Sequence, residues 1–154
     1  MSVKKAIAID AQLLVLLVVG LTDVRYIDRH KRTARVYNSK SFVLFRDLVV
    51  RAPRIIVTAH ILTEASNHLR QAADPMRSEI MLTFRALIDR AEETAVSGRI
   101  AAASPNFIRL GLTDAAISSL DPAETELLTV DHDLHIACAR SGFDVVNLTS
   151  YLYE

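Results

Sequence analysis

The stretch Lys5–Leu17, KAIAIDAQLLVLL, decides the fold. Four small or branched apolar residues, Ala6 to Ile9, run straight into one acid, Asp10, and a second apolar run follows. Periodicity alone leaves a short apolar run open between strand and helix. The two isoleucines and the abrupt acid favour a buried strand ending at Asp10, with a helix beginning just after it. In an open parallel α/β sheet the carboxyl ends of the strands form the ligand crevice. An acid there is placed for function, because an unpaired buried carboxylate is a costly choice for packing.

Outward from that stretch, the 154 residues read as one domain spanning 1–154, long enough to bury a core. At 51% hydrophobic and 23% charged, the composition is globular and argues against wholesale disorder. The single cysteine, Cys138, excludes an internal disulfide and fits a reducing compartment. It lies in an apolar helical pattern with Ile136 and Ala137, as a buried inert thiol would. Lys4 and Lys5 before the apolar Leu13–Leu21 run have the outline of a signal peptide. Asp10 interrupts that outline, no small-residue cleavage site is clear, and the run is far short of the roughly 20 residues a membrane span needs. The expectation is a buried helix in a cytoplasmic protein, away from membranes. A formal net charge of zero leaves a nucleic-acid partner open, since a basic patch beside an acidic pocket cancels in the sum.

Along the chain, Asp23 to Lys40 is polar without a clear period. Its basic residues Arg25, Arg29, Lys31, Arg32 and Arg35 have only Asp28 as a nearby opposing charge, and the segment reads most simply as a solvated loop or helix face. Ser41 to Val50 is apolar on more than one side, as in a buried helix. RIIVT, Arg54 to Thr58, is a short β-branched strand after Pro53. His60 to Arg70 is helical, with Ile61, Leu62, Ala65 and Leu69 on one stripe and Glu64 off it by about one position. Asp74-Pro75 starts the next helix, in which Met76, Ile80, Phe84, Leu87, Ile88 and Ala91 form an apolar face and Gly98 is the stop. Ser104 to Gly111 is a connector with a short strand near Phe107. Thr113 caps a helix carrying Asp114. ELLTV, Glu126 to Val130, is a strand that breaks at Asp131-His132-Asp133 into a helix through Arg140. Gly142 ends it, and Asp144 to Leu148 is a last strand. Strands alternating with helices predict a parallel α/β sheet.

Four acids stand at equivalent places. Asp10 follows the first strand, Glu64 lies in the helix after the second, Asp114 opens a helix, and Asp131 ends the ELLTV strand with Asp133 two residues on. All belong to the same edge of a parallel sheet. Carboxylates gathered so closely repel unless a cation sits between them, and oxygen-only ligands suit a hard cation such as Mg²⁺ or Mn²⁺. Such an ion polarises a phosphoryl group and activates water.

The segments IAIDAQLL, TEASNHL around Glu64, GLTDAAI around Asp114 and LLTVDHDL around Asp131, in this order and spacing, resemble the PIN-domain nucleases over nearly the whole chain. The resemblance implies a three-layer α/β fold, with a central parallel sheet of four or five strands flanked by helices. It implies a metal-dependent ribonuclease in which Asp10, Glu64, Asp114 and Asp131 bind Mg²⁺ or Mn²⁺, with Asp133 as a candidate fifth ligand. Asn67 and Thr129 match positions that support such acids, and the Arg25 to Arg35 segment would contact the RNA backbone. Many small members are the toxin of a toxin–antitoxin pair, often as homodimers, so an antitoxin protein and a second copy are the implied partners.

The family usually places Ser or Thr after the first Asp and often Asn next. This chain has Ala11 and Gln12, which keeps a second reading open: a weak or inactive PIN-like module that binds RNA or a protein. A phosphohydrolase on another α/β fold fits less well, with AQLL after Asp10 in place of a second acid at i+2, and no Gly-rich phosphate loop. His132 and His135, with His60 and His68 elsewhere, form no HExxH or Cys/His ligand set and are expected at the surface or in support of the acids.

Overall fold

The computed structural model describes residues 5–152; Lys4 and both ends of the 1–154 span lie outside them. Five strands form one sheet: β1 (Ala6–Ile9), β2 (Ile55–Val57), β3 (Glu92–Glu93), β4 (Thr125–Thr129) and β5 (Asp144–Asn147). Every pairing is parallel, and the order across the sheet is β3-β2-β1-β4-β5. The helices among the described residues are α1 (Ala11–Thr22), α2 (Ser39–Val50), α3 (Ala59–Leu69), α4 (Met76–Arg90), α5 (Gly98–Ala103), α6 (Phe107–Leu110), α7 (Leu112–Ser118), α8 (His132–Arg140) and α9 (Thr149–Leu152). The fold is α/β, a parallel sheet with helices packed on it in three layers.

The strand order places the site. From β1 the chain moves outward through β2 to β3, then returns to the other side of β1 for β4 and β5. Right-handed crossovers therefore put the helices of the two halves on opposite faces. Accordingly α1 packs on α2, α3 and α4, while α7 packs on α5, α6 and α8. The order reverses between β1 and β4, and a crevice opens there at their carboxyl ends. Asp10 follows β1 directly, and Asp131 lies two residues beyond β4.

All four residues of β1 are buried, as a central strand covered on both faces requires. Helix α1 is buried from Leu13 through Gly20, which is how a helix apolar all round resolves. Its Gly20 lets α2 come close: a Cβ there would lie 2.3 Å from Cδ2 of Phe42. No helix among the described residues is long and apolar enough to cross a membrane.

Several local readings are corrected. Helix α2 buries Phe42, Phe45 and Val49 but leaves Val43, Leu44, Leu48 and Val50 exposed, because only one of its apolar sides finds α1. Gly98 does not stop α4; that helix ends at Arg90, the two-residue β3 follows, and Gly98 opens α5 behind Ser97, whose Oγ accepts from Ile100 N. Phe107 begins a helical turn in place of a strand. Asp74 takes the Ser78 N–H at 2.9 Å, although the first helical residue of α4 is Met76. Thr113 is not the cap of α7, which starts one residue earlier behind Gly111. At φ 85° and ψ 178°, Gly111 occupies a conformation essentially closed to other residues, and the turn it makes delivers Asp114 into the first turn of α7.

The basic segment keeps Arg25, Arg29, Lys31, Arg32 and Arg35 exposed, as a solvated loop does, but it is anchored from beneath. Val24–Asp28 is a 3-10 turn, and Tyr26, Ile27, His30, Thr33 and Tyr37 are buried. Tyr26, His30, Thr33 and Tyr37 fall at i, i+4, i+7 and i+11, a helical spacing, but His30 and Thr33 are polar and charges surround all four, which hid the stripe.

Candidate functional site

The register between β1 and β4 pairs Ile9 with Leu128, so the next residues, Asp10 and Thr129, fall side by side. Thr129 donates its hydroxyl to Asp10 Oδ2 at 2.5 Å, and Val130 N–H reaches the same oxygen at 2.9 Å. Asp10 Oδ1 caps α1 by accepting from Leu13 N at 2.8 Å. Asp10 is only 4% exposed. Burial raises its pKa above the ordinary value, against the lowering effect of these three donors; Asp131 adds to the rise. A carboxylate has about four lone-pair sites, so the chain itself uses most of what Asp10 offers.

Asp131 is the N-cap of α8, its Oδ1 accepting from Leu134 N at 3.0 Å. Its own N–H is held by Thr129 Oγ1 at 2.9 Å. The second carboxylate oxygen takes no donor among the described residues.

Asp114 differs from both. It is half-buried, and its side chain makes no hydrogen bond or ion pair among the described residues. Burial pushes its pKa up to about 7, and Asp131, Glu64 and Asp10 add to the rise in that order. Three other acids thus act on this one side chain. Helices α3 and α7 touch, which carries Glu64 toward Asp114. Between these helices lies a groove of about 380 Å³ lined by His60, Glu64, Asn67, Leu112 and Thr113.

The remaining positions divide. Asp133 is held by Arg109 at 3.1 Å, an exposed pair, and does not figure among the acids acting on Asp114. Asn67 lines the groove beside Glu64 without a hydrogen bond to an acid among the described residues. His60, Glu64 and His68 lie on one row of α3 at i, i+4 and i+8, with His68 Nε2 3.9 Å from Glu64 Oε1. His135 Nδ1 meets Asn147 Nδ2 at 3.3 Å, and His132 is exposed. Cys138 is fully buried and its thiol is pushed up to about 12 by burial, which keeps it inert.

Of the basic residues, Arg25 is spent on Asp23, at 2.7 Å, and Arg29 stacks over Tyr26 at 5.4 Å from the ring centroid. Arg35 is exposed. Lys31 and Arg32 line a second pocket of about 290 Å³, which contains Glu64. The composition of the segment did not distinguish these two from the others.

No group of three or more His, Cys, Asp or Glu side chains among the described residues is assembled as a ready-made metal cage. Mg²⁺ does not need one: it keeps several waters and takes one or two carboxylates. The donor set fits such an ion, being all oxygen, with both oxygens of Asp114 and one of Asp131 free of donors among the described residues. The chain matches no protein-family model and no curated protein.

Proposed function

We propose that the protein is a PIN-like, Mg²⁺- or Mn²⁺-dependent ribonuclease that hydrolyses RNA phosphodiester bonds at Asp10, Glu64, Asp114 and Asp131. The observation that carries this is Asp114: a half-buried carboxylate with no donor among the described residues, whose proton affinity is raised by burial and by three other acids. Structural acids are normally hydrogen-bonded when buried. An acid held in this way is costly to the fold and suited to a cation. Its place where the strand order reverses is where open parallel sheets bind ligands.

Each residue has a separable part. Asp10 is oriented by Leu13, Thr129 and Val130 and sets the position of the cluster. Asp131 spends one oxygen on α8 and keeps the other for binding. Asp114 and Glu64 complete the negative pocket from α7 and α3. When bound there, a divalent ion supplies the positive charge that polarises a phosphodiester and lowers the pKa of water.

RNA cleavage by the purified protein with Mn²⁺ or Mg²⁺, lost with EDTA, tests this. Asp114→Asn should lower it by about 10²-fold or more, the scale on which one fixed electrostatic partner acts. Equal cleavage by Asp114→Asn assigns the activity elsewhere.

A second reading is a PIN-like module of weak or no catalysis that binds RNA or a protein. Ala11 supplies no hydroxyl beside Asp10, and Asp10 is already engaged by three chain donors. Metal-independent RNA binding without cleavage favours it. The toxin of a toxin–antitoxin pair is the setting the first reading implies, in the cytoplasm. The exposed Val43, Leu44, Leu48 and Val50 of α2 give a second copy or an antitoxin a surface to cover. A small neighbouring reading frame for a DNA-binding protein tests that setting.

A further inference from the structure

We propose that Lys31 and Arg32, with Gln12, Tyr37 and His68, form a phosphate subsite that holds a backbone phosphate of single-stranded RNA beside the acids. This rests on the ribonuclease reading for its substrate, but the subsite is argued from its own geometry.

The loop that carries the two cations is locked. His30 is fully buried; its Nε2 meets Leu69 O at 3.1 Å, and its Nδ1 accepts from Arg32 N at 3.1 Å. Thr33 Oγ1 donates to Ile27 O at 2.7 Å, and the Tyr26 hydroxyl donates to Glu79 of α4. Arg32 Nε donates to Gln71 Oε1 at 2.7 Å. The His30 and Arg32 side-chain bonds tie the loop to the end of α3, the Tyr26 bond ties it to α4, and Glu64 stands on α3. The Arg32 side chain so held loses little freedom on binding an anion, and Lys31 stands next to it on the same anchored backbone, which is where a preorganised site gains affinity.

The charges point the same way. Lys31 has no acidic partner among the described residues, and the two terminal nitrogens of Arg32 make no bond there. A guanidinium with those donors open suits a phosphate. Against two cations the pocket sets one carboxylate, Glu64, and its net charge is positive. Glu64 also lines the α3–α7 groove. A strand with one phosphate at Lys31 and Arg32 therefore lies beside Glu64, the residue common to both cavities. Arg25 and Arg29 are engaged elsewhere and have no part in this.

The test uses EDTA-treated full-length protein with inorganic phosphate, uridine 5′-monophosphate and uridine, read by amide shifts and calorimetry. Both phosphates should shift the amides of residues 31 and 32, and uridine should not. Lys31→Glu and Arg32→Ala should each weaken phosphate binding about tenfold, the scale of one charge-assisted contact, while Arg25→Ala leaves it unchanged. With a single-stranded oligoribonucleotide, Lys31→Ala should flatten the slope of log affinity against log salt by about 0.7. Shifts confined to other residues, equal shifts with uridine, or an equal loss in Arg25→Ala overturn the subsite. Binding with this footprint but no cleavage under Mn²⁺ supports the subsite and removes the nuclease reading. Cleavage by the Lys31→Glu, Arg32→Ala double variant at the wild-type KM removes the subsite and spares the nuclease reading.

Discussion

Thr129 gives its hydroxyl proton to Asp10 Oδ2 at 2.5 Å and accepts the Asp131 N–H on the same oxygen at 2.9 Å. One side chain of β4 thus sets the distance between the acid that ends β1 and the acid that opens α8. Thr129→Val keeps the shape and β propensity but leaves the Asp131 N–H and one Asp10 site without a partner. The expected cost is about 1–3 kcal/mol of stability. Metal affinity or activity should fall about 10–100-fold, as when an orienting partner of a metal ligand is lost. Thr129→Ser should restore both. Denaturant melts and cleavage assays of the pair decide; a Val variant with wild-type activity would show that Asp10 needs no orienting partner.

The pH dependence of apo stability should carry the signature of Asp114. Its folded pKa of about 7 lies above the ordinary aspartate value of 3.8. Between those values the folded state holds a proton that the unfolded chain has released. Stability therefore falls as pH rises from about 4 to about 7 and levels off above that. Asp114→Asn removes this component, so the variant should gain on wild type as pH rises through that window. Melting curves in EDTA at pH 5 and pH 8 measure it. A wild-type minus variant difference that does not change with pH contradicts the raised pKa.

Mn²⁺ should raise the melting temperature in proportion to the logarithm of its concentration above Kd. At a hundredfold excess the gain is about 2.7 kcal/mol, roughly 5–10 °C for a chain of this size. Asp131→Asn keeps a good cap residue on α8 while removing charge, so it should retain apo stability and lose much of the metal shift. Asp131→Ala should lose about 1 kcal/mol of cap as well. If the Asn variant keeps the full metal shift, Asp131 is a cap alone.

The parts of the fold that were legible in the sequence are those whose signal is local. AIAI followed by Asp, and ELLTV followed by Asp, are strand-end signals that need no partner to be read, and both acids stand where those signals put them. Helix α1 was legible because nothing but burial accommodates a helix apolar all round. What escaped depends on distant contacts. The two glutamates of β3 have no strand propensity and pair only because β2 lies beside them. The basic segment is ordered by His30 reaching Leu69, 39 residues away, and no window of sequence contains both. That Asp10 and Asp131 are also helix caps follows from their positions, but Asp114 could be separated from them only by the side chains around it.

Gly20→Ala tests the closest helix contact. Alanine should add about 1 kcal/mol of helix propensity, yet its Cβ would meet the buried Phe42 ring at 2.3 Å. Overpacking of this kind costs about 1–3 kcal/mol, occasionally more, and the clash should prevail. Phe42→Leu in the Gly20→Ala background should recover part of the loss. Additive effects in that double-mutant cycle would mean that the two positions do not touch.

The two-residue strand β3 has a meaning for the protein in a crowded solution. It is the outermost strand on its side of the sheet, where unpaired backbone groups invite a strand from another chain. Both of its side chains are exposed glutamates, and Arg54 pins Glu92 at 2.6 Å. An incoming strand would find only two residues of pairing, flanked by carboxylates. This edge of the sheet is therefore closed to polymerisation by its brevity and its charge, with no helix needed to cover it.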